Sequence, residues 1–240
     1  MIPITLINPY YQNPGMVLKQ IERLNSFDKA TRKNIEYIVV DDGSPIGQRA
    51  EEVLKKAKIT VDFKLFRIIP DMPWNWREAR NIGAFYAKHE WLLLTDIDHM
   101  TTQSFWDGVH SMELDPKKFY IPDRVQFYEP EKPPRAYKRH PNSYLMAKKF
   151  YWDIGGYDEI FAGAYGSDGM YRRLCEAHGQ LVNLPYPLEL YSRDVIPDAS
   201  TRNLPRKDGR DPNALNDIRE YKQEKMLNSQ VFKLPFKRVL

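Results

Sequence analysis

Apolar runs alternate with helical periodicities through the first part of the chain. Ile2 to Ile7 is apolar and β-branched, which predicts a buried strand ending in the turn-rich NPYYQNPG. Val17, Leu18, Ile21 and Leu24 then recur at helical spacing, with Lys19, Glu22 and Arg23 on the opposite side. A second strand is expected over Ile35 to Val40, a helix around Ala50, Val53, Leu54 and Ala57, and a third strand over Val61 to Ile69. Arg77 to Lys88 reads as a helix that feeds the run Trp91, Leu92, Leu93 and Leu94. That run does not alternate, as expected of a strand buried on both faces of a parallel sheet.

Beyond it the pattern loosens. Phe119 to Phe127 predicts another strand, and Glu129 to Pro141, EPEKPPRAYKRHP, is a proline-rich basic loop that cannot be a regular helix or a central strand. Such a loop is either a surface excursion or, beside a site, a lid or acceptor contact. Pro70 to Trp76 is a rigid aromatic connection whose Trp74 and Trp76 are expected to cap the core. The end of the chain from Asp198 is polar, with Arg202, Arg206, Lys207 and Arg210 close together and a helix expected near Asn213 to Leu227. The expected organisation is one α/β domain over residues 1–197, with a break near residue 100, followed by a basic tail over 198–240.

Composition narrows the class without choosing a partner. At 240 residues, with 42% hydrophobic and 28% charged, the chain has the make-up of an ordinary globular protein with one sizeable core. No apolar run is long enough to span a membrane, and no basic region is followed by a hydrophobic leader. A cytoplasmic protein is expected. The single cysteine, Cys175, has no partner for an internal disulfide and lies in a helical pattern, so it is expected to pack. A net charge of +4 permits contact with phosphates, nucleic acid or an anionic membrane surface and demands none of them.

Chemistry enters at the strand ends. Asp96 and Asp98 follow the apolar run in WLLLTDIDHM, where ligands of open α/β sheets bind. Two carboxylates there could join a divalent cation to phosphate oxygens. Asp41 and Asp42 close the second strand in DDGS; this reads as a turn and helix start, and equally as an acid placed to meet a base or ribose. Arg77, Arg80 and Asn81 lie in the first turns of their helix, where arginines can clamp phosphate, although a solvated face is the expectation. Asp168 follows a glycine-rich approach and opens the helix carrying Met170, Leu174 and Cys175, so it reads first as a cap.

The order ITLINPYY, VVDDGS, REARNIGA, WLLLTDID resembles the nucleotide-binding half of a GT-A fold glycosyltransferase of the inverting family 2 type. IGGYDEIFAGAYGSDGMYRRL is similar to the acceptor-side segment of that family and carries the likeness to about residue 174. The resemblance implies a Rossmann-like, mostly parallel sheet flanked by helices. It also implies transfer of a sugar from a nucleoside diphosphate sugar, a UDP-sugar by preference, with Mn2+ or Mg2+. Pro9 and Tyr11 would line the base, with Gln12 where an asparagine is usual. Asp41 and Asp42 would read base and ribose, Arg80 and Asn81 would lie beneath the diphosphate, and Asp96 and Asp98 would contact sugar and metal. Asp168 falls on the catalytic base, with Asp158 and Glu159 as fallbacks. One departure is visible: where the family often supplies a metal-binding histidine, PLELYSRD has Tyr191, Ser192 and Arg193. His99, His140, His178 and Asp194 are the substitutes.

The acceptor implied is a glycan or lipid-linked sugar, and hydroxymethylated DNA is the alternative, contacted by the basic loop and tail. Two rivals remain at this level. One is a haloacid-dehalogenase-type phosphatase with Asp96 as nucleophile and Asp98 as acid and base; the other is a non-catalytic nucleotide or glycan-binding module.

Overall fold

The computed structural model describes residues 1–72, 74–163, 168–200 and 234–240. In chain order the elements begin with β1 (Ile4–Tyr10), α1 (Pro14–Ser26), α2 (Lys29–Lys33), β2 (Ile35–Asp41), α3 (Ala50–Leu54) and β3 (Asp62–Ile68). They continue with α4 (Trp76–Tyr86), β4 (Trp91–Leu94), β5 (His99–Met100), α5 (Gln103–His110), β6 (Lys118–Phe127) and β7 (Arg135–Tyr137). The last are β8 (Tyr144–Ala147), α6 (Lys148–Asp153), a 3-10 turn (Glu159–Phe161), α7 (Asp168–His178), β9 (Gln180–Tyr191) and β10 (Phe236–Arg238). A single sheet runs in the order β10-β3-β2-β1-β4-β8-β6-β9-β5, with β7 on β6. Strands β3, β2, β1 and β4 are mutually parallel, β8 is antiparallel to both neighbours, and β6 and β9 are parallel.

The continuous apolar runs of β1, β2 and β4 are buried because helices cover both faces. Ile4, Leu6, Tyr37, Val39 and Leu93 pack with Met16, Val17, Ile21 and Leu24 of α1. Their alternates Ile7, Ile38, Val40, Leu92 and Leu94 pack with Ala79 and Ile82 of α4. Each such side chain contributes about 1.5–3 kcal/mol by leaving water. Helix α4 sits so close to the sheet that a Cβ on Gly83 would lie 2.4 Å from Ile7 Cγ2.

Three expectations change. Strand β1 runs on to Tyr10 through the turn-like NPY, because β2 continues to pair it at Asn8↔Val39, Pro9↔Val40 and Tyr10↔Asp41. Pro9 is tolerated there since pairing with β4 has ended at Ile7↔Leu94. The proline-rich segment, expected as a loop that could not be a central strand, also contains a short exposed edge strand, β7. The end of the chain also supplies a strand: β10 pairs antiparallel with β3, and Phe236 packs edge-on against Phe66 and Tyr86. Arg202, Arg206, Lys207, Arg210 and the helix expected near Asn213 lie outside the described residues. Asp198 caps α1 through Gly15 N and Met16 N, which brings Ala199 and Ser200 to the cleft. No described helix is long and apolar enough to cross a membrane.

Candidate active site

A cleft of about 470 Å³ opens beyond the carboxyl ends of β1, β2 and β4. Pro9, Tyr11 and Asp42 line one end of it, Asp96, Asp98 and His99 the middle, and Asp168 with Arg124 and His140 the other walls. At the first end, Tyr11 Oη donates to Asp71 Oδ2 at 3.0 Å and fastens the ring to the aromatic connection. Asp42 is only 3% exposed and yet borders the cleft. Asp41 turns away from it, accepting from Ser44 N at 2.8 Å and Ala50 N at 2.9 Å. Burial raises its pKa against those hydrogen bonds. Gly43 makes this turn possible, with φ +75 and no room for a Cβ, which would lie 2.4 Å from the Pro70 carbonyl oxygen.

Arg77 and Arg80 do not form a solvated face. Both are buried, because the loop before β8 and the 3-10 turn enclose the start of α4, which the helix's own periodicity does not reveal. Arg80 Nη2 holds Asp96 Oδ1 at 2.6 Å, and its Nη1 donates to Asn142 O at 2.6 Å and Tyr157 Oη at 3.0 Å. Arg77 donates to Phe161 O and lies over the Trp76 ring; burial pushes its pKa down to about 10. Asn81 donates to Tyr157 O and Glu159 Oε1, both at 2.7 Å, and accepts from Tyr157 N and Tyr151 Oη. Arg80 and Asn81 therefore stand behind the cleft wall. Trp74 and Trp76, expected to cap the core, both border the cleft, and Trp76 also packs against the core.

The loop carrying the two acids is held from below by side chains that the sequence reading passed over. Asn8 Nδ2 donates to Thr95 Oγ1 at 2.7 Å and to Asp96 O at 3.2 Å. Gln20 Nε2, buried on α1, donates to Ile97 O at 2.8 Å and His99 O at 2.7 Å. Burial disfavours the charge of Asp96, but the groups around it, His140 first and then Arg80, His99 and Arg124, together hold the carboxylate below its ordinary range. His140 Nε2 approaches Asp96 Oδ2 at 3.4 Å; burial pushes this imidazole down to about 3, so at neutral pH it stays uncharged.

Asp96, Asp98 and His99 each offer a ligand atom within 4.8 Å of the others. His99 Nδ1 and Asp98 Oδ1 lie 2.8 Å apart, and neither forms a hydrogen bond of proper geometry. Ligand atoms on an octahedral ion sit about 3 Å apart, so this pair fits neighbouring positions on a divalent cation. Arg124 Nη1 lies 2.7 Å from His99 Nε2, and an arginine can only donate, so that ring nitrogen accepts. Ligation through Nδ1 moves the ring proton to Nε2 and requires Arg124 to give up this bond. Of the histidine substitutes, His99 and His140 reach the site; His178 and Asp194 are exposed elsewhere. Arg124 itself sits mid-strand, and nothing in its local sequence marks it.

Asp168 borders the same cleft from the start of α7. Burial and then the negative charge of Asp96 raise its pKa, with Arg77 and Arg80 opposing. The segment 164–167 before it lies outside the described residues. Asp158 caps the 3-10 turn at Ile160 N, and Glu159 bonds Asn81. Neither fallback acid lines the cleft.

Residues 5–174 match the model of glycosyl transferase family 2. The chain belongs to that family. This membership sets aside the phosphatase reading of the two acids. Among solved structures, S. aureus TarS in complex with UDP-GlcNAc superposes with a TM-score of 0.60 at 14% identity, over 80% of this chain and 59% of that one. GalNAc-T7 with UDP, GalNAc and Mn2+ gives a TM-score of 0.62 at 13% identity, over 80% of this chain and 43% of that one. The family 2 chain thus spans about three-fifths of TarS, and the likeness shows a GT-A type fold. A comparison with curated proteins gave no match.

Proposed function

We propose that this family 2 member transfers a sugar from a nucleoside diphosphate sugar, a UDP-sugar by preference, to an acceptor hydroxyl with inversion. One observation carries the reading. Asp168, with its raised pKa, shares a single cleft with Asp96 and Asp98 and with the Pro9, Tyr11 and Asp42 end. The sugar nucleotide would lie with its base against Tyr11 and Asp42 and its diphosphate toward Asp96 and Asp98. Asp168 takes the proton of the acceptor hydroxyl as that oxygen bonds to the anomeric carbon from the side opposite the leaving group. The anomeric carbon–oxygen bond to the diphosphate breaks, and the nucleoside diphosphate departs with the electron pair.

Charge on the departing group has to be met. When bound at Asp96, Asp98 and His99, Mn2+ or Mg2+ supplies Lewis acidity to the leaving diphosphate. The UDP and Mn2+ found with GalNAc-T7 and the UDP-GlcNAc found with TarS support the choice of donor and metal. Arg80 fixes the orientation of Asp96 and adds positive charge from behind the wall.

A panel of nucleotide sugars with Mn2+ or Mg2+, read by thermal shift and by release of nucleoside diphosphate, tests this. Selective stabilisation by one donor and metal-dependent release are expected, with release lost in Asp98→Asn. A well-folded Asp98→Asn protein with normal metal-dependent release would remove the metal assignment.

A further inference from the structure

Sheet register places a second set of chemical groups along the wall of the cleft. In the β6–β7 hairpin Arg124 pairs with Tyr137 and Gln126 with Arg135. Residues two apart on a strand share a face and lie about 7 Å from one another. Arg124 and Gln126 therefore face the same way as Tyr137 and Arg135. The guanidinium of Arg124 lies 5.0 Å over the Tyr137 ring, and that of Arg135 lies 4.6 Å over the Tyr128 ring. Arg124 and Tyr137 border the cleft, whereas Arg135 is exposed outside it. The face is thus a ladder of arginine–tyrosine pairs that begins inside the site and leads out of it.

The ladder is held in place. Arg124 Nε donates to Lys138 O at 2.8 Å, and Arg80 Nη1 anchors the return of the loop at Asn142 O. Tyr137 keeps 42% of its surface exposed, and the exposed Lys138 stands beside it at the rim. Arg124 is buried and bonded to Lys138 O and His99 Nε2, so the cations open to a ligand are Arg135 and Lys138; with the exposed face of Tyr137 they suit a polymer that carries both flat rings and regularly spaced negative charge. Unstacked bases pack on aromatic rings while arginine and lysine meet the phosphates. A neutral glycan would also stack on such rings, but it has no charge for the exposed Arg135 and Lys138 beside them to meet, whereas a phosphodiester chain does. Here the acids of the loop, Glu129 and Glu131, lie beyond the ladder, and Glu129 is paired with Lys132.

We propose that this face of the β6–β7 hairpin binds a single-stranded nucleic acid as acceptor and leads one of its hydroxyls into the cleft toward Asp168. The inference rests on the transferase reading for its last step and on the hairpin alone for its first. Within a duplex the acceptor nucleotide would have to leave the base stack to reach the cleft.

Fluorescence anisotropy with a labelled oligothymidylate of ~12 nucleotides, a length within the range of single-strand sites, tests it on the full chain. Binding is expected to fall as salt rises and to weaken on the order of tenfold in Tyr137→Ala and in Tyr128→Ala, the scale of one lost stacking contact. Tyr137→Phe should restore it. Arg135→Gln and Lys138→Gln should each lower the salt slope by ~0.7. UDP affinity by calorimetry should stay at the wild-type value in Tyr128→Ala and Arg135→Gln, which lie outside the cleft, and Lys149→Gln, on α6, should bind oligonucleotide normally. Wild-type oligonucleotide affinity in both alanine variants would overturn the proposal and leave plain electrostatic attraction. So would inorganic polyphosphate competing as well as the oligonucleotide at equal charge, or binding of a neutral oligosaccharide alone that Tyr137→Ala abolishes. If no nucleotide sugar is turned over while Tyr137→Ala still loses the oligonucleotide, the hairpin site stands and the transferase reading falls.

Discussion

Strands β3, β2, β1 and β4 all point one way, whereas β8, β6, β9 and β5 reverse and re-reverse, and the two halves of the sheet contribute to the cleft differently. The parallel half brings several carboxyl ends to one edge, so its contribution is the loops that leave those ends: Tyr11 after β1, Asp42 after β2, and Asp96 and Asp98 after β4. In the mixed half only β6 and β9 run toward that edge, while β8 between β4 and β6 runs back from it. This half offers the flank of a strand instead, with Arg124 in the middle of β6 and Leu190 near the end of β9. Strand ends present backbone turns and short acids suited to a compact anionic donor. A strand flank presents side chains at regular intervals, which suits something extended.

This division predicts that a change at Asp168 alters turnover and that changes at cleft-lining residues of the parallel half, such as Asp42, alter donor affinity. The largest effect is expected at Asp168. Asp168→Asn should lower transfer by about 10²- to 10⁴-fold while UDP affinity by calorimetry stays level. Because burial raises the Asp168 pKa and the base must be ionised, activity should rise with pH through a limb lying above the ordinary carboxylate value of about 4. Transfer within about threefold of wild type, well short of the general-base range, would reduce Asp168 to a helix cap.

Asn81→Ala comes next and probes what lies behind the donor end. Four partners lose a hydrogen bond in a buried setting, and about 3 kcal/mol of stability should go with them. For a chain of this size that is a fall in Tm of roughly 6–12 °C. UDP affinity of the folded fraction should not change. An unaltered melting curve with lost UDP binding would instead bring Asn81 into the donor site.

Asp42→Ala should weaken UDP binding by about 1–3 kcal/mol, the scale of a hydrogen bond to a charged group, without a matching loss of stability. Equal affinity in calorimetry would detach the DDGS turn from the nucleotide. The smallest effect is expected where the halves meet. Arg124→Met should tighten Mn2+ binding, followed by electron paramagnetic resonance, by about 1 kcal/mol, since ligation through His99 Nδ1 no longer has to break the arginine bond. Weaker Mn2+ binding in that variant would show that His99 Nδ1 is not a ligand.

Legibility follows the same division. Strand β4 lies at Trp91–Leu94, where its apolar run predicts it, and β2 overshoots the expectation by one residue. A strand buried on both faces has no alternation to misread. Cys175 packs in the core as its helical pattern implies. Proximity of Asp42, Asp96 and Asp98 also follows from the order of elements, because parallel strands joined by helices carry their carboxyl ends to one edge. The sharing of roles was hidden. Asp41 and Asp42 are adjacent and chemically identical, yet one closes a turn and the other borders the cleft, since successive residues at a strand end point in opposite directions.

By itself, the sequence determined the alternation of buried strands and amphipathic helices, the acids at strand ends and the family to which they belong. Those features are local, written in periodicity and in short motifs. Tertiary structure alone decided that Arg80 is buried against Asp96, that Gln20 of α1 carries the loop of the two acids, and that Arg124 and His99 share a hydrogen bond. It also turned the polar end of the chain into an edge strand beside β3. Each of these depends on partners far away in the chain. A long polar side chain is satisfied by whichever carbonyl or carboxylate the packed helices bring within reach, and no window of neighbouring residues contains that information.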